Sequence, residues 1–432
     1  MTEDLTTAAG VRTAVREFLE ANLDPDMTLA SWLSVLADSG WAVPQWSAQW
    51  FGKGLSTDLA LVAYDEFKKV DAVGPPPGLA RMLAAPTIIT HGTDEQKQRF
   101  VRAILAGEEA WCQLFSEPGA GSDLASLATR AELDGDEYVV NGQKVWTSGA
   151  VGADYGMLLA RTDPDAPKHR GITWFAFEMD QPGVEVRPLK QITGESHFAE
   201  VFFTDARVPA ANIVGGLNEG WAVGTTTLAN ERVGLGGGGA LGFGISAPGG
   251  RAQAKALQQK VGEYVAAIAK WRESGRVGIT GAVMAQSGDA LARLAIASGT
   301  DKDPAVREQL ARLYALNQLT RWNTLRAKAT AASGGRPGPE GSLGKLMVSR
   351  IIRAARDAGM AAAGPRGMLA GEDGPQHGGL ATSYLGAPAP SIYGGSDEIQ
   401  HNIVGERVLG LPREPDDSKT LPFKELRTGT QK

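Results

Sequence analysis

From Trp111 to Ala150 the chain reads WCQLFSEPGAGSDLASLATRAELDGDEYVVNGQKVWTSGA, and no other stretch restricts the fold as much. Its middle, SEPGAGSD, places Gly119 and Gly121 where a chain must turn, because glycine accepts backbone angles closed to other residues. Main chain in such a loop can come close to a ligand. Before it, Ala110 to Phe115 is a short apolar run suited to a buried strand; after it, TRAELDGDEYVVNGQKVW reads as two strands joined through Asp134 to Glu137, then a turn at Asn141-Gly142. The loop is therefore expected on a sheet. Trp146, Thr147 and Ser148 close the stretch with a flat ring beside two hydroxyls, a suitable wall for a planar heterocycle. Taken alone, those three residues read more plainly as a core tryptophan at a strand end.

The apolar spacing divides the rest. Val11 to Leu23, Met27 to Gly40, Thr57 to Val70, Leu79 to His91 and Thr93 to Ala106 repeat at three and four, as amphipathic helices require, and Thr93 with Gln96 is a helix-start signature. Residues 1–108 are thus expected to form an N-terminal helical domain. Asp154 to Thr162, Gly171 to Phe177, Val184 to Pro188 and Phe198 to Pro209 are short, apolar or alternating runs separated by links such as TDPDAPKHRG. With the opening stretch they give a small β domain, barrel or sandwich, over 109–213. Helical spacing returns from Gly220, over Lys255 to Trp271, Ile279 to Ala297, Ala305 to Ala332, Leu343 to Ala363 and Asp397 to Leu409. The fold class is α+β, with a C-terminal helical bundle over 214–412 and a loosely held tail over 413–432.

Composition excludes several classes. A chain of 432 residues, 43% hydrophobic, has the make-up of an ordinary globular protein of two or three domains. A net charge of -6 gives no electrostatic reason to expect nucleic acid or an anionic membrane as partner. The single cysteine, Cys112, rules out an internal disulfide and reads as a buried strand residue, and five scattered histidines offer no zinc pattern. MTEDLTTAAGVRTAVREFLEANL lacks a basic n-region and an apolar h-region, and no run is long enough to span a bilayer, so the expected location is cytoplasmic. Gly234, Gly236 and Gly239 satisfy GxGxxG, but the preceding TTTLANERV reads as helix and no βαβ pattern surrounds it, which argues against a dinucleotide fold. GPEGSLGKL has Leu346 where a phosphate loop needs Ser or Thr, and reads as a loop before a helix.

SEPGAGSD followed at this distance by NGQKVWTSG resembles the flavin-binding middle domain of the acyl-CoA dehydrogenase family. The resemblance implies helical, β and helical domains in this order, tetramers formed through the last domain as dimers of dimers, and FAD as cofactor. It also implies an acyl-CoA substrate and an electron-transferring flavoprotein as redox partner, the chemistry of fatty-acid β-oxidation. By position in the match, Phe115 and Ser116 approach the isoalloxazine edge, Trp146 lies against the ring, Ser148 bonds near N5, and Ser122 faces the acyl-CoA mouth. Near the C-terminus, SIYGGSDEIQHNIVGERVLGLP matches a further family segment and adds Ser396 and Glu398 as flavin contacts.

That segment departs from the family where the chemistry is concentrated. The glutamate that usually serves as base is replaced by Gly394, and Asp397 and Glu398 lie on a helix that points them elsewhere. A second location for the base, used by isovaleryl and long-chain members, falls on LANERVGL and selects Glu231, with Arg232 holding CoA or orienting the acid. Burial over an apolar pocket would raise the carboxyl's pKa and suit it to the task. The plainer alternative is a helix-surface glutamate paired with a neighbouring base. Two more departures concern the cofactor: KWRESGRVGITG lacks the family's Arg-x-Phe-Gly, leaving Arg272 or Arg276 as substitutes, and AAGPRGML replaces a GGNG-like segment. These features resemble bacterial members that act on bulky thioesters, steroid side chains included, and assemble as mixed tetramers. A non-catalytic or half-site subunit of such a complex is the alternative function. A flavin oxidase of the nitroalkane type would need an aspartate as base, and neither Gly394 nor Glu231 supplies one.

Overall fold

The computed structural model describes residues 4–235, 242–273, 288–332, 338–339, 341–413, 415, 418 and 420–426. The class is α+β, with helices as far as Leu105, strands from Trp111 to Pro209, and helices again from Gly220. Local chemistry sets most boundaries. The side chains of Thr7, Thr28 and Ser56 accept the backbone N–H groups of Gly10, Ser31 and Leu59 at the starts of helices Ala8–Asn22, Leu29–Ser39 and Thr57–Lys69. Thr93 and Gln96 form a reciprocal capping box. Each of the next two helical runs contains a π turn, at Ala80–Ala84 before helix Ala85–His91 and at Lys97–Val101.

The strands are β1 Val73–Gly74, β2 Trp111–Leu114, β3 Arg130–Asp134, β4 Glu137–Ser148, β5 Tyr155–Arg161, β6 Ile172–Glu178, β7 Val184–Leu189, β8 Phe198–Pro209 and β9 Ile245–Ser246. A seven-stranded sheet runs β2-β5-β3-β4-β8-β7, with β6 antiparallel to β5. Its two faces serve different cores. Trp111, Phe115, Met157, Leu159 and Trp174 pack with the N-terminal helices, while Cys112, Leu114, Leu158, Ala160 and Phe177 pack beneath the sheet. β5 is buried along its whole length, as its unbroken apolar run requires when both faces are covered. β1 pairs in parallel with β9, so the chain beyond the sheet returns to the N-terminal helices.

Helix Gly220–Leu235 lies over the sheet because its first residue has no side chain. A Cβ on Gly220 would stand 2.6 Å from the Trp174 amide nitrogen, closer than any side chain tolerates. Helices Pro304–Ala332 and Gly341–Ala363 pack on each other and, with Gly288–Ser298, make the C-terminal bundle. Among the described residues no helix is long and apolar enough to cross a membrane.

The structure corrects three expectations. Asn141-Gly142 is not a turn: β4 continues through it with a register shift against β8, because a Cβ on Gly142 would lie 2.7 Å from the Thr129 Cα and the strand must give way there. The helix expected over 255–271 is two pieces, Ala254–Leu257 and Val261–Glu273, since the Gln259 carbonyl and the Val261 amide bond instead to Leu29 and Met27. Part of the tail is held. The Phe423 amide donates to the Ala166 carbonyl, and the Arg161 guanidinium lies 3.8 Å from the Phe423 ring centroid. Gly236, Gly239, Arg276 and the start of the Ile279–Ala297 run lie outside the described residues.

Candidate active site

Glu117, inside SEPGAGSD, is buried and accepts the Ala128 and Thr129 amides at 2.7 and 2.9 Å and the Lys144 ammonium at 2.8 Å. Lys144 is wholly buried and also donates to the Phe115 carbonyl at 3.0 Å. Burial pushes the Glu117 carboxyl up, but the lysine and the amide donors outweigh it and hold the group below its ordinary value. One ion pair thus fixes both ends of the loop and fastens it to β4. The loop tip, with Ser122, stands open to solvent.

The other side of β4 presents the expected ring. The Val145 amide donates to the Ser116 carbonyl at 2.9 Å, bringing Phe115 and Ser116 beside Trp146. Trp146 has φ 60°, an unusual value for a bulky residue, at a second register shift between Lys144 and Thr147. This backbone turns the indole outward, 61% exposed, with its edge contact to Phe198 at 5.9 Å between centroids. Thr147 Oγ1 is buried without a hydrogen-bond partner, and Ser148 is half-buried beside it. An outward flat ring on strained backbone, an unmet hydroxyl and a half-buried one fit a planar, hydrogen-bonding ring system such as a flavin.

Glu231 comes to the same end of the sheet from helix Gly220–Leu235. Thr87 and Thr227 hydroxyls meet at 3.0 Å and His91 meets Thr226 at 2.8 Å, locking the helix against Ala85–His91. The Glu231 carboxylate then accepts from Gln113 Nε2 at 3.4 Å, two residues before Phe115 on the strand that feeds the loop. Burial raises the Glu231 carboxyl above its ordinary 4.5, against the opposing pull of Gln113, Arg232 and Lys345. Were Glu231 to act as a base, only its ionised form would accept a proton, and the acidic limb of kcat/KM would lie above the ordinary carboxylate range. In Gln113→Leu, which removes a bond to that form, a pH–rate profile is expected to show the limb displaced further upward.

The C-terminal match reaches this region through Lys345. Its ammonium is buried, donates to the Pro390 carbonyl at 2.5 Å, lies 3.7 Å from Asp397, and acts electrostatically on Glu231. Asp397 is also 3.0 Å from Arg353, so it is occupied away from the sheet. Gly394 has φ 65°, a backbone that favours glycine. Ser396 caps helix Asp397–Ile403 by accepting the Ile399 amide, and Glu398 is exposed on the first turn. Arg232 is half-buried with its pKa lowered by burial. Arg272 is used within the chain, donating to the Gly244 carbonyl at 2.6 Å beside Asp71. Gly364–Met368 forms a short 3-10 turn. Sequence reasoning missed Gln113, Glu117, Lys144 and Lys345; the only signal was a polar residue breaking an apolar run.

Comparison with known proteins agrees with this layout. Models of the acyl-CoA dehydrogenase N-terminal, middle and C-terminal domains match residues 7–108, 112–206 and 274–409. The chain is 37% identical over 390 residues to acyl-CoA dehydrogenase IpdE1 of Mycobacterium tuberculosis, covering 89% of this chain and 88% of that one. It is 38% identical to acyl-CoA dehydrogenase FadE34 of the same organism over 88% of this chain and 46% of the longer relative. Among solved structures it resembles the Tcur3481-Tcur3483 steroid ACAD, with TM-score 0.67 and 27% identity over 95% of this chain and all of that one. The ChsE4-ChsE5 complex from Mycobacterium tuberculosis matches with TM-score 0.63 and 28% identity over 94% and 98%. Three domain models laid end to end along the chain, and near-full-length relatives above 30% identity, leave one assignment: the chain belongs to the acyl-CoA dehydrogenase family.

Proposed function

We propose that the chain is an FAD-dependent acyl-CoA dehydrogenase that desaturates an acyl thioester between its α and β carbons, with Glu231 as the base. The observation that carries the reading is the half-buried Glu231 carboxylate hydrogen-bonded to Gln113, on the strand leading into SEPGAGSD. In this proposal Ser116, Trp146 and Ser148 hold the isoalloxazine, with the buried Phe115 packed behind Ser116, and the Thr147 hydroxyl has a bond to spare for the ring. Ser396 and Glu398 belong to the same cofactor surface in this proposal, and Ser122 and Arg232 to the CoA side. When bound, FAD supplies the acceptor for the β-hydride, which no side chain can provide.

The chain's own residues manage the proton. Gln113 donates to one carboxylate oxygen of Glu231 and leaves the other available for the α-hydrogen. Desolvation makes that carboxylate more basic than a surface glutamate, opposed by the Gln113 hydrogen bond and the Arg232 and Lys345 charges. A rigid helix, fixed by the Thr87–Thr227 and His91–Thr226 contacts, sets the carboxylate's direction of approach.

Electrons leave to an electron-transferring flavoprotein in this reading, and the substrate is a bulky acyl group, a branched or steroid-type chain. The similar structure described as a steroid ACAD supports that class. Exposed Tyr314, Leu319, Trp322 and Leu325 on helix Pro304–Ala332 support assembly through the C-terminal domain. A half-site subunit of a mixed complex is the second reading, favoured by Arg272 being occupied within its own chain. Visible spectroscopy of the purified chain separates the two. The dehydrogenase reading expects a yellow protein whose flavin bleaches anaerobically on adding an acyl-CoA; a colourless, well-folded homo-oligomer would overturn it in favour of the half-site.

A further inference from the structure

The tail near the C-terminus is stitched to the middle domain. Between β5 and β6 the link TDPDAPKHRG bends on itself, with the Asp163 carboxylate accepting the Asp165 and Ala166 amides. The Pro164 and Ala166 carbonyls accept the Lys424 and Phe423 amides at 3.0 and 2.9 Å, and Pro167 faces Pro422 in an antiparallel bridge. Lys424 pairs with Asp165 at the exposed rim. A short strand of tail therefore lies along the link.

What this strand covers is one side chain. Arg161, the last residue of β5, is 3% exposed; its Nη1 donates to the Lys168 carbonyl at 2.7 Å and its Nη2 to the Ala125 and Leu127 carbonyls at 2.6 and 3.2 Å. The half-buried Phe423 ring lies over the same guanidinium at 3.8 Å. Nε is buried without a partner, and the carboxylates of Glu117 and Asp163 act on the group through charge alone. Burial pushes its pKa down to about 10, so it remains charged at neutral pH. A buried guanidinium bonded only to carbonyls gains most from an aromatic face that is itself shielded from water.

Those carbonyls belong to the chain just beyond the loop tip. Leu124–Ser126 is a single 3-10 turn directly after Ser122 and Asp123, and Asp123 is gripped by the Lys168 ammonium at 3.0 and 3.1 Å. Arg161 and Lys168 thus tie residues 123–127 to the rest of the domain, and the tail closes over the arginine. Without the ring, water would reach the guanidinium and compete with the Ala125 and Leu127 carbonyls for its N–H groups.

We propose that Phe423 is a positioning residue for acyl-CoA binding: by covering Arg161 it keeps residues 122–127 in the arrangement that receives the thioester. The inference rests on the acyl-CoA reading, in which Ser122 stands on the CoA side. Glu231 is held separately, through Gln113, so the effect falls on affinity rather than on proton removal.

Two measurements on the full-length, flavin-loaded protein test this: steady-state kinetics with butyryl-, octanoyl-, palmitoyl- and a steroid side-chain acyl-CoA, and amide hydrogen exchange over residues 121–129 without substrate. Phe423→Ala is expected to raise KM about 5- to 30-fold with kcat held within about 2-fold, and to speed exchange in that segment. Phe423→Tyr, which keeps the aromatic face, should restore both. Unchanged KM or unchanged exchange in Phe423→Ala would overturn the proposal, as would kcat and flavin content falling in step with a rise in KM, the mark of a merely structural role. Failure of the reading beneath it shows in the wild type instead: no acyl-CoA would be turned over, and the proposal would fall with it.

Discussion

Glu231→Gln is expected to lower kcat for an acyl-CoA by about 10²- to 10⁴-fold, the span that a positioned general base contributes. Flavin content should stay that of the wild type, because the amide keeps the shape of the acid and no flavin-facing residue is disturbed. KM should move little, since the lost interaction belongs to proton removal rather than to thioester binding. Steady-state kinetics with a flavin-to-protein ratio for each preparation checks all three. Gly394 explains why no second acid rescues the variant: its backbone at φ 65° favours glycine, and Asp397 nearby is committed to Arg353 and Lys345.

Lys144→Met should cost about 3–5 kcal/mol of stability, the usual result of leaving one member of a buried ion pair behind. Glu117 would then be buried with two amide donors and no cation, and the strain would fall on the loop those donors hold. Flavin loss is expected at temperatures where the wild type is still yellow. Thermal unfolding followed by flavin fluorescence and far-UV circular dichroism measures both. Adding Glu117→Gln to the lysine variant should recover part of the loss, because a neutral amide has less to regain from water. An additive double variant would mean that the two groups do not act as a pair.

What could be read from the sequence was what neighbouring residues decide. The Thr93–Gln96 capping box and the threonine and serine caps bind atoms three residues away, so spacing alone exposes them. β5 and β6 were legible because a strand covered on both faces must be continuously apolar. Asn141-Gly142 misled because the same dipeptide serves a hairpin turn and a bulge, and the choice depends on Thr129, twelve residues earlier and on another segment. The Glu117–Lys144 pair joins positions 27 apart, and a lysine in a strand reads as solvent-facing until its partner is known. Glu231 was reachable only through the resemblance to a family, while Gln113, which touches it, was hidden within a four-residue strand. The hold on Phe423 could not be foreseen, since it needs a buried arginine presented by a strand more than two hundred residues away.

The central assertion is that the Glu231 carboxylate removes the α-hydrogen, and exchange of that hydrogen with solvent reports on it without requiring completed oxidation. A 3-thia-acyl-CoA, whose sulfur blocks hydride loss from the β position, would be incubated with the flavin-loaded protein in deuterium oxide and its α-carbon analysed by mass spectrometry. Wild type should incorporate deuterium there, and Glu231→Gln, equally loaded and binding the same ligand, should incorporate about 10²- to 10⁴-fold more slowly. Equal incorporation by the two proteins would contradict the account and move the base elsewhere.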